Sequence, residues 1–79
     1  MKKVIVYTKN RCPECEKMEV NLWRAPVPLE VDFRNIQEES KYFDELVELG
    51  YQSVPVTIIE GHEPIVGFEI GELQNAFGI

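Results

Sequence analysis

Apolar and polar positions divide this chain into seven stretches whose periods alternate between those of strand and helix. Lys3–Tyr7 is a β-branched run bounded by polar residues, and it predicts a buried strand. From Pro13 the apolar positions Cys15, Met18, Leu22 and Ala25 recur at helical spacing, with Glu16, Lys17, Asn21 and Arg24 turned outward. Met18 and Leu22 read as core fillers, and Trp23 as an amphipathic side chain packed on the surface near the helix end. Pro26 and Pro28 stop that helix. Leu29, Val31 and Phe33 then alternate with Glu30, Asp32 and Arg34, the pattern of a half-buried strand at a sheet edge. Asn35 with Glu38 resembles a capping box and predicts a second helix through about Leu49. Phe43, Leu46 and Val47 form its apolar face, and Gly50 its C′ residue.

The run Tyr51–Ile59 is strand-like, with Pro55 near its start, where a residue that cannot donate to a ladder is tolerated in either a trans or a cis peptide. Glu60–Glu63 predicts a hairpin turn with His62 as an exposed polar residue, and Pro64–Phe68 a short returning edge strand. Glu69–Phe77 closes the chain as a helix packed through Ile70, Leu73 and Phe77. The order is βαβαββα. Right-handed crossovers and a terminal hairpin make this an α/β architecture, a four-stranded mixed sheet flanked on both faces by three helices.

At 79 residues the chain predicts a single domain, 1–79, in which every element shares one small core. Its net charge of −6 is unevenly spread: six basic residues face three acidic ones up to Arg24, and two face eleven from Ala25 onward. Acidity argues against nucleic acid as a partner, while the positive end coincides with the cysteines and suits acidic or anionic partners. No apolar run is long enough for a bilayer, and no signal-peptide pattern follows Lys2-Lys3, so the expectation is a cytoplasmic protein without membrane contact.

The only cysteines, Cys12 and Cys15, stand two residues apart where the first strand hands over to the first helix. That spacing suits a dithiol that closes into a disulfide and reopens. With Pro13 at the first helical position, Cys12 becomes the N-cap and its sulfur lies over the free N–H groups of the first turn, which stabilise a thiolate. Lys9 and Arg11 push in the same direction; Glu14 opposes them. Cys15, one turn in, is expected to be more buried and less ionised, so Cys12 attacks and Cys15 resolves. The residues leave other readings open. A structural disulfide closing so small a ring would add little stability, a zinc site would lack ligands beyond His62, and a cluster shared between two chains needs a partner.

Several motifs together resemble the glutaredoxin branch of the thioredoxin superfamily along nearly the whole chain. They are Val6-Tyr7-Thr8-Lys9 before Cys12-Pro13-Glu14-Cys15, then Leu49-Gly50-Tyr51, Ser53-Val54-Pro55, and Gly67-Phe68 followed by Glu72-Leu73. The resemblance implies a thioredoxin-like fold, Cys12 as nucleophile, Cys15 as resolving thiol, and a cis Pro55 facing the disulfide. It also implies that the backbone at Val54 pairs with an extended cysteinyl segment of a partner or of glutathione, and that Lys9 holds a glutathione carboxylate. Length, Leu49-Gly50-Tyr51, Ser53-Val54-Pro55-Val56 and Gly67-Phe68 are most similar to NrdH-type redoxins, donors to ribonucleotide reductase that are reduced by thioredoxin reductase. Glu14 departs from both sub-families, Val66-Gly67-Phe68-Glu69 stands where glutaredoxins carry a Gly-Gly pair followed by polar residues, and Glu69-Ile70-Gly71 departs from the NrdH pattern after the Gly-Phe pair.

The expectation is a monomeric dithiol–disulfide oxidoreductase that carries electrons to disulfide-containing proteins. It binds no cofactor beyond its own Cys12–Cys15 disulfide, and no metal site is assigned. Its reductant is thioredoxin reductase or glutathione. The substrate-binding residues are Lys9, Arg11, Pro13, Ser53, Val54, Pro55, Gly67 and Phe68. A glutathione-dependent glutaredoxin is the alternative, and a non-enzymatic interaction domain with an inert disulfide is the second.

Overall fold

The computed structural model describes residues 1–78; Ile79, the last residue of the expected domain, lies outside the described residues. The elements follow the order β1 (Lys2–Thr8), α1 (Pro13–Trp23), β2 (Leu29–Asn35), α2 (Ser40–Glu48), β3 (Val56–Ile59), β4 (Ile65–Val66) and α3 (Ile70–Phe77). They form one mixed sheet in the order β2-β1-β3-β4. β1 runs through its middle, parallel to β2 from Lys2↔Leu29 to Thr8↔Asn35 and antiparallel to β3 from Val4↔Ile59 to Tyr7↔Val56.

Strand alternation sorts the side chains onto two faces. Val4, Val6, Ile59 and Ile65 turn to one face and pack with Met18 and Leu22 of α1 and Leu73, Ala76 and Phe77 of α3. Tyr7 and Val56 turn to the other, where Leu46 of α2 meets them inside a ring of half-buried apolar residues. The expected packing of Met18, Leu22, Leu46, Leu73 and Phe77 is therefore present.

Several boundaries and exposures differ from the sequence pattern. α1 stops at Trp23 and Ala25 reaches the core from the following connection, its N–H held by the Leu22 carbonyl. Trp23, expected at the surface near the helix end, is 74% exposed there. Asn35 does not cap α2. It ends β2 and closes a turn, its side-chain oxygen accepting from the Gln37 N–H at 2.9 Å and its carbonyl from the N–H groups of Glu38 and Glu39. An Asn side chain satisfies the backbone two residues on as readily as it caps a helix, so α2 begins only at Ser40. Within α2, Leu46 is buried while Phe43 and Val47 stay 44% and 46% exposed, so only part of the apolar face meets the sheet. The end of α2 matches expectation. Gly50, at φ +93°, donates to the Val47 carbonyl while Tyr51 donates to Leu46, the paired bonds of a glycine-closed helix end.

The returning strand shrinks to Ile65–Val66, since Pro64 lacks a donor and Gly67 leaves extended geometry at φ +76°. Ile70 at the start of α3 is 45% exposed and does not share in its packing. His62 is half-buried, its Nδ1 2.7 Å from the Glu63 carbonyl and its Nε2 3.9 Å from Glu72 Oε2, so the hairpin turn lies against the first turn of α3.

Candidate active site

β1 delivers the chain to the upper rim of the sheet, where Lys9, Asn10 and Arg11 turn it into α1. Arg11 does so at φ +54°, a left-handed conformation that L residues with a side chain adopt at a cost. The turn is tied sideways to the connection after β2. The Ile36 N–H donates to the Thr8 carbonyl at 2.9 Å, Asn35 Nδ2 to Asn10 Oδ1 at 3.0 Å, and the Asn10 N–H to Gln37 Oε1 at 2.9 Å. Asn35 thus braces the loop that carries Cys12 instead of starting α2.

Cys12 is extended (φ −119°, ψ 101°) and occupies the N-cap, with Pro13 following where a missing N–H costs nothing. Its Sγ accepts from the Cys15 N–H at 3.2 Å, and its carbonyl from the Glu16 N–H at 3.0 Å. Cys12 and Cys15 are joined as a disulfide, their Cα atoms 5.1 Å apart. Contrary to the expected contrast in burial, they are 6% and 5% exposed. Ring closure folds the N-cap sulfur onto the first turn, so the difference between the two thiols lies in hydrogen bonding rather than in cover.

Beside the disulfide lies a cleft of about 410 Å³ lined by Lys9, Arg11, Cys12 and Cys15, by Glu16 and Glu19 of α1, and by Phe33, Asn35 and Glu38. The Val54–Pro55 peptide, immediately before β3, is cis. Pro55 is fully buried, Val54 half-buried and Ser53 exposed. The Pro55 carbonyl accepts from the Gly67 N–H at 2.8 Å, and Phe68 packs into the core beside α3. A side chain at Gly67 would stand 3.5 Å from Glu14 Oε2, so the Glu14 carboxylate spans from the first turn of α1 to the connection after β4. Of the expected substrate-binding residues, Lys9 and Arg11 share the cleft with the cysteines, and Ser53, Val54, Pro55, Gly67 and Phe68 do not line it. Pro13 is exposed at the helix start.

The sequence reading missed the brace of Asn10, Asn35 and Gln37, for which the only signal was an Asn two residues before a Gln. It also placed Phe33 in the strand's inward set, whereas the ring is 38% exposed at the cleft. An edge strand has no neighbour beyond it to cover its last inward residue.

Just before the site, Tyr7 anchors the opposite face. Its hydroxyl donates to Glu45 Oε1 at 3.0 Å and accepts from Arg34 Nη1 at 3.3 Å, while that nitrogen also reaches Glu45 at 2.7 Å and Arg34 Nε reaches Asp32 at 2.9 Å. Burial first, and then the hydrogen bond to Glu45, push the Tyr7 hydroxyl above its ordinary pKa. Partial burial works against the Arg34 charge, but hydrogen bonds with Asp32, Tyr7 and Glu45 outweigh it and hold the guanidinium protonated.

Among the described residues no group of three or more His, Cys, Asp or Glu side chains could hold a metal ion, and no helix is long and apolar enough to cross a membrane. What the site offers is a disulfide over a helix N-terminus, a geometry suited to thiol–disulfide exchange.

Comparison with known proteins agrees with that chemistry. The family model described as glutaredoxin matches residues 4–63. The chain is 31% identical over 72 residues to the glutaredoxin-like protein NrdH of Lactococcus lactis subsp. lactis, covering 91% of this chain and 96% of that one. Among solved structures, the thioredoxin-like protein BC3987 superposes with a TM-score of 0.82 at 24% identity, over 92% of this chain and 97% of its own. The NrdH-redoxin of Escherichia coli, described as having a thioredoxin-like activity profile, superposes with a TM-score of 0.72 at 21% identity, over 85% and 84%. Both likenesses establish a thioredoxin-like fold.

Proposed function

The chain belongs to the glutaredoxin family, as a thiol–disulfide redox protein with a Cys12–Cys15 pair, and from that premise we propose that it is an NrdH-type electron donor reducing protein disulfides, ribonucleotide reductase among them. The observation that carries the reading is Cys12 Sγ at the N-cap of α1, accepting from the Cys15 N–H at 3.2 Å. A sulfur so placed is held by the helix dipole and a backbone donor when it ionises.

In the donor direction the Cys12 thiolate attacks one sulfur of a partner disulfide. A mixed disulfide forms as the partner's second sulfur departs as a thiolate and takes a proton. The Cys15 thiolate then attacks Cys12 Sγ, releases the reduced partner, and closes the Cys12–Cys15 disulfide. The partner's cysteinyl segment lies extended along Ser53, Val54 and Pro55, bounded by Gly67 and Phe68, with Lys9 and Arg11 across the disulfide from it. Thioredoxin reductase supplies the electrons. Glu14 beside Gly67, together with Glu69 at the N-cap position of α3, sets negative charge on the flank where a carboxylate-bearing tripeptide would be read, which supports the reductase over glutathione.

The test is an NADPH-coupled assay on the oxidised protein, comparing thioredoxin reductase with glutathione plus glutathione reductase, read alongside Cys12→Ser and Cys15→Ser. The expected outcome is reduction by the reductase alone, no turnover with Cys12→Ser, and a trapped mixed disulfide with Cys15→Ser. Reduction only through glutathione would replace the reading with that of a glutathione-dependent glutaredoxin. Reduction by neither would leave an inert disulfide.

A further inference from the structure

Thr57 is fully buried, and its hydroxyl has no hydrogen-bond partner while the Cys12–Cys15 disulfide is closed. Leaving a buried hydroxyl unpaired costs more than a typical hydrogen bond contributes, so an orphan in so small a core calls for a partner that this state withholds.

The register shows where that partner is. Thr57 stands opposite Val6 on β1 and Ile65 on β4, and directly paired residues present their side chains to the same face. Val6 and Ile65 belong to the layer covered by Met18 and Leu22 of α1. As the β1–α1–β2 crossover makes α1 run back along β1, the upper part of the strand, where Val6 and Thr57 pair, lies under the first turns of the helix. There Cys15 turns inward at 5% exposure. Among the described residues Thr57 is the one buried side chain of polar type, so the sulfurs are the side-chain atoms of this region whose hydrogen-bonding capacity can change. The Cys12 sulfur already faces the helix N-terminus, accepting from the Cys15 N–H. Opening the disulfide frees the Cys15 sulfur to rotate toward the hydroxyl, as a thiol that accepts weakly or a thiolate that accepts strongly.

We propose that Thr57 is a positioning residue for the dithiol state, its hydroxyl donating a hydrogen bond to Cys15 Sγ once the Cys12–Cys15 disulfide opens. This rests on the reading above that the disulfide is a working one. The hydroxyl is satisfied when the protein is reduced and orphaned when it is oxidised, so it favours the dithiol and makes the protein a milder reductant than the same scaffold without it. It also orients the resolving sulfur.

The experiment equilibrates the full chain with dithiothreitol, whose two thiols give up two electrons and two protons to the disulfide and close into their own ring. The ratio of dithiol to disulfide is read by thiol trapping and mass spectrometry for wild type, Thr57→Val and Thr57→Ser. Thr57→Val keeps the shape and removes the hydroxyl; it should shift the equilibrium toward the disulfide about tenfold, equivalent to roughly 30 mV for a two-electron couple. Thr57→Ser should stay within about twofold of wild type, since it keeps the donor. Thermal unfolding of each redox form gives a second readout: Thr57→Val should raise the melting temperature of the oxidised protein relative to the reduced one. A valine variant with the wild-type equilibrium, a serine variant shifted as far as valine, or equal changes in both melting temperatures would overturn the assignment. A wild-type disulfide that does not exchange with dithiothreitol overturns the working-disulfide reading along with it, whereas normal exchange with no valine shift overturns the role of Thr57 alone.

Discussion

The face of the sheet under α1 and α3 and the face under α2 solve the same packing problem with different means. Two helices cover the first, and Val4, Val6, Met18, Leu22, Ile59, Leu73 and Phe77 interlock there with scarcely any polar surface among them. One short helix covers the second, Leu46 is its single buried anchor, and the cover is completed by half-buried rings and by the hydrogen-bonded set of Tyr7, Arg34 and Glu45. Arg34 also lies over the rings of Tyr7 and Tyr42, 5.9 Å and 5.7 Å from their centroids. The disulfide helix is thus seated on the face with the larger buried apolar cluster, while the other face is held together by directional contacts at its rim. A sulfur that must return to one position after every exchange is well served by an unyielding bed.

Truncating the anchors tests the contrast most severely. Met18→Ala and Leu46→Ala each empty a site that is 0% exposed. The expected losses, measured by urea unfolding, are about 4 kcal/mol for Met18 and about 2 kcal/mol for Leu46, the two halves of the range for such truncations, because the single helix α2 can settle into the gap beneath it. Equal losses would mean that the two faces are equally rigid.

A smaller effect is expected of Tyr7→Phe, which removes one hydroxyl from the rim and leaves Arg34 and Glu45 paired. It should cost about 1 kcal/mol near neutral pH. The sign of its pH dependence follows from the raised Tyr7 pKa: the folded state holds this proton more tightly than the unfolded chain, so the contribution is complete below the ordinary tyrosine value and is lost as pH rises from there through the raised folded value. The stability gap between wild type and Tyr7→Phe should therefore narrow above about pH 10. A gap that stays constant well above that pH would show that the folded state does not hold the Tyr7 proton more tightly than the unfolded chain does.

The least change is expected on the outside of α2. Phe43→Ser should alter stability by no more than about 0.5 kcal/mol, since that ring is 44% exposed. A loss several times larger in the melting curve would place Phe43 in the cover after all.

What the sequence could disclose follows the same division. The face built from one period and one residue class was legible: the β-branched run of β1 and the Cys15, Met18, Leu22 stripe marked both strand and helix, and Pro13 marked where the helix begins. The α2 face was harder, because its cohesion comes from pairs distant along the chain. Nothing local to Tyr7 announces Glu45, which lies 38 residues on. Asn35 was misread for a related reason: an Asn before a helical stretch fits a cap and a turn equally, and the choice was settled by Asn10, across the sheet rim. At the site, the positions of Cys12 and Cys15 could be read from their spacing and from proline. The cleft wall formed by Phe33 and Glu38 could not, since it exists only once β2 lies beside β1. Thr57 gave no signal either, as a threonine in a β-branched strand is ordinary until its hydroxyl is seen to be enclosed.

The two rims of the sheet bear on how the protein behaves in a crowded solution. β4 offers a passing strand only two residues of ladder, and β2, although seven residues long, sets Glu30, Asp32 and Arg34 along its length. Unpaired backbone at a sheet margin is an invitation to stack, and short length and charge are the means by which chains refuse it. A protein that opens a disulfide in the course of its work also gains reactive sulfur at that moment. With its margins guarded, encounters between two copies are left to that sulfur chemistry, and strand addition between them finds little to grip.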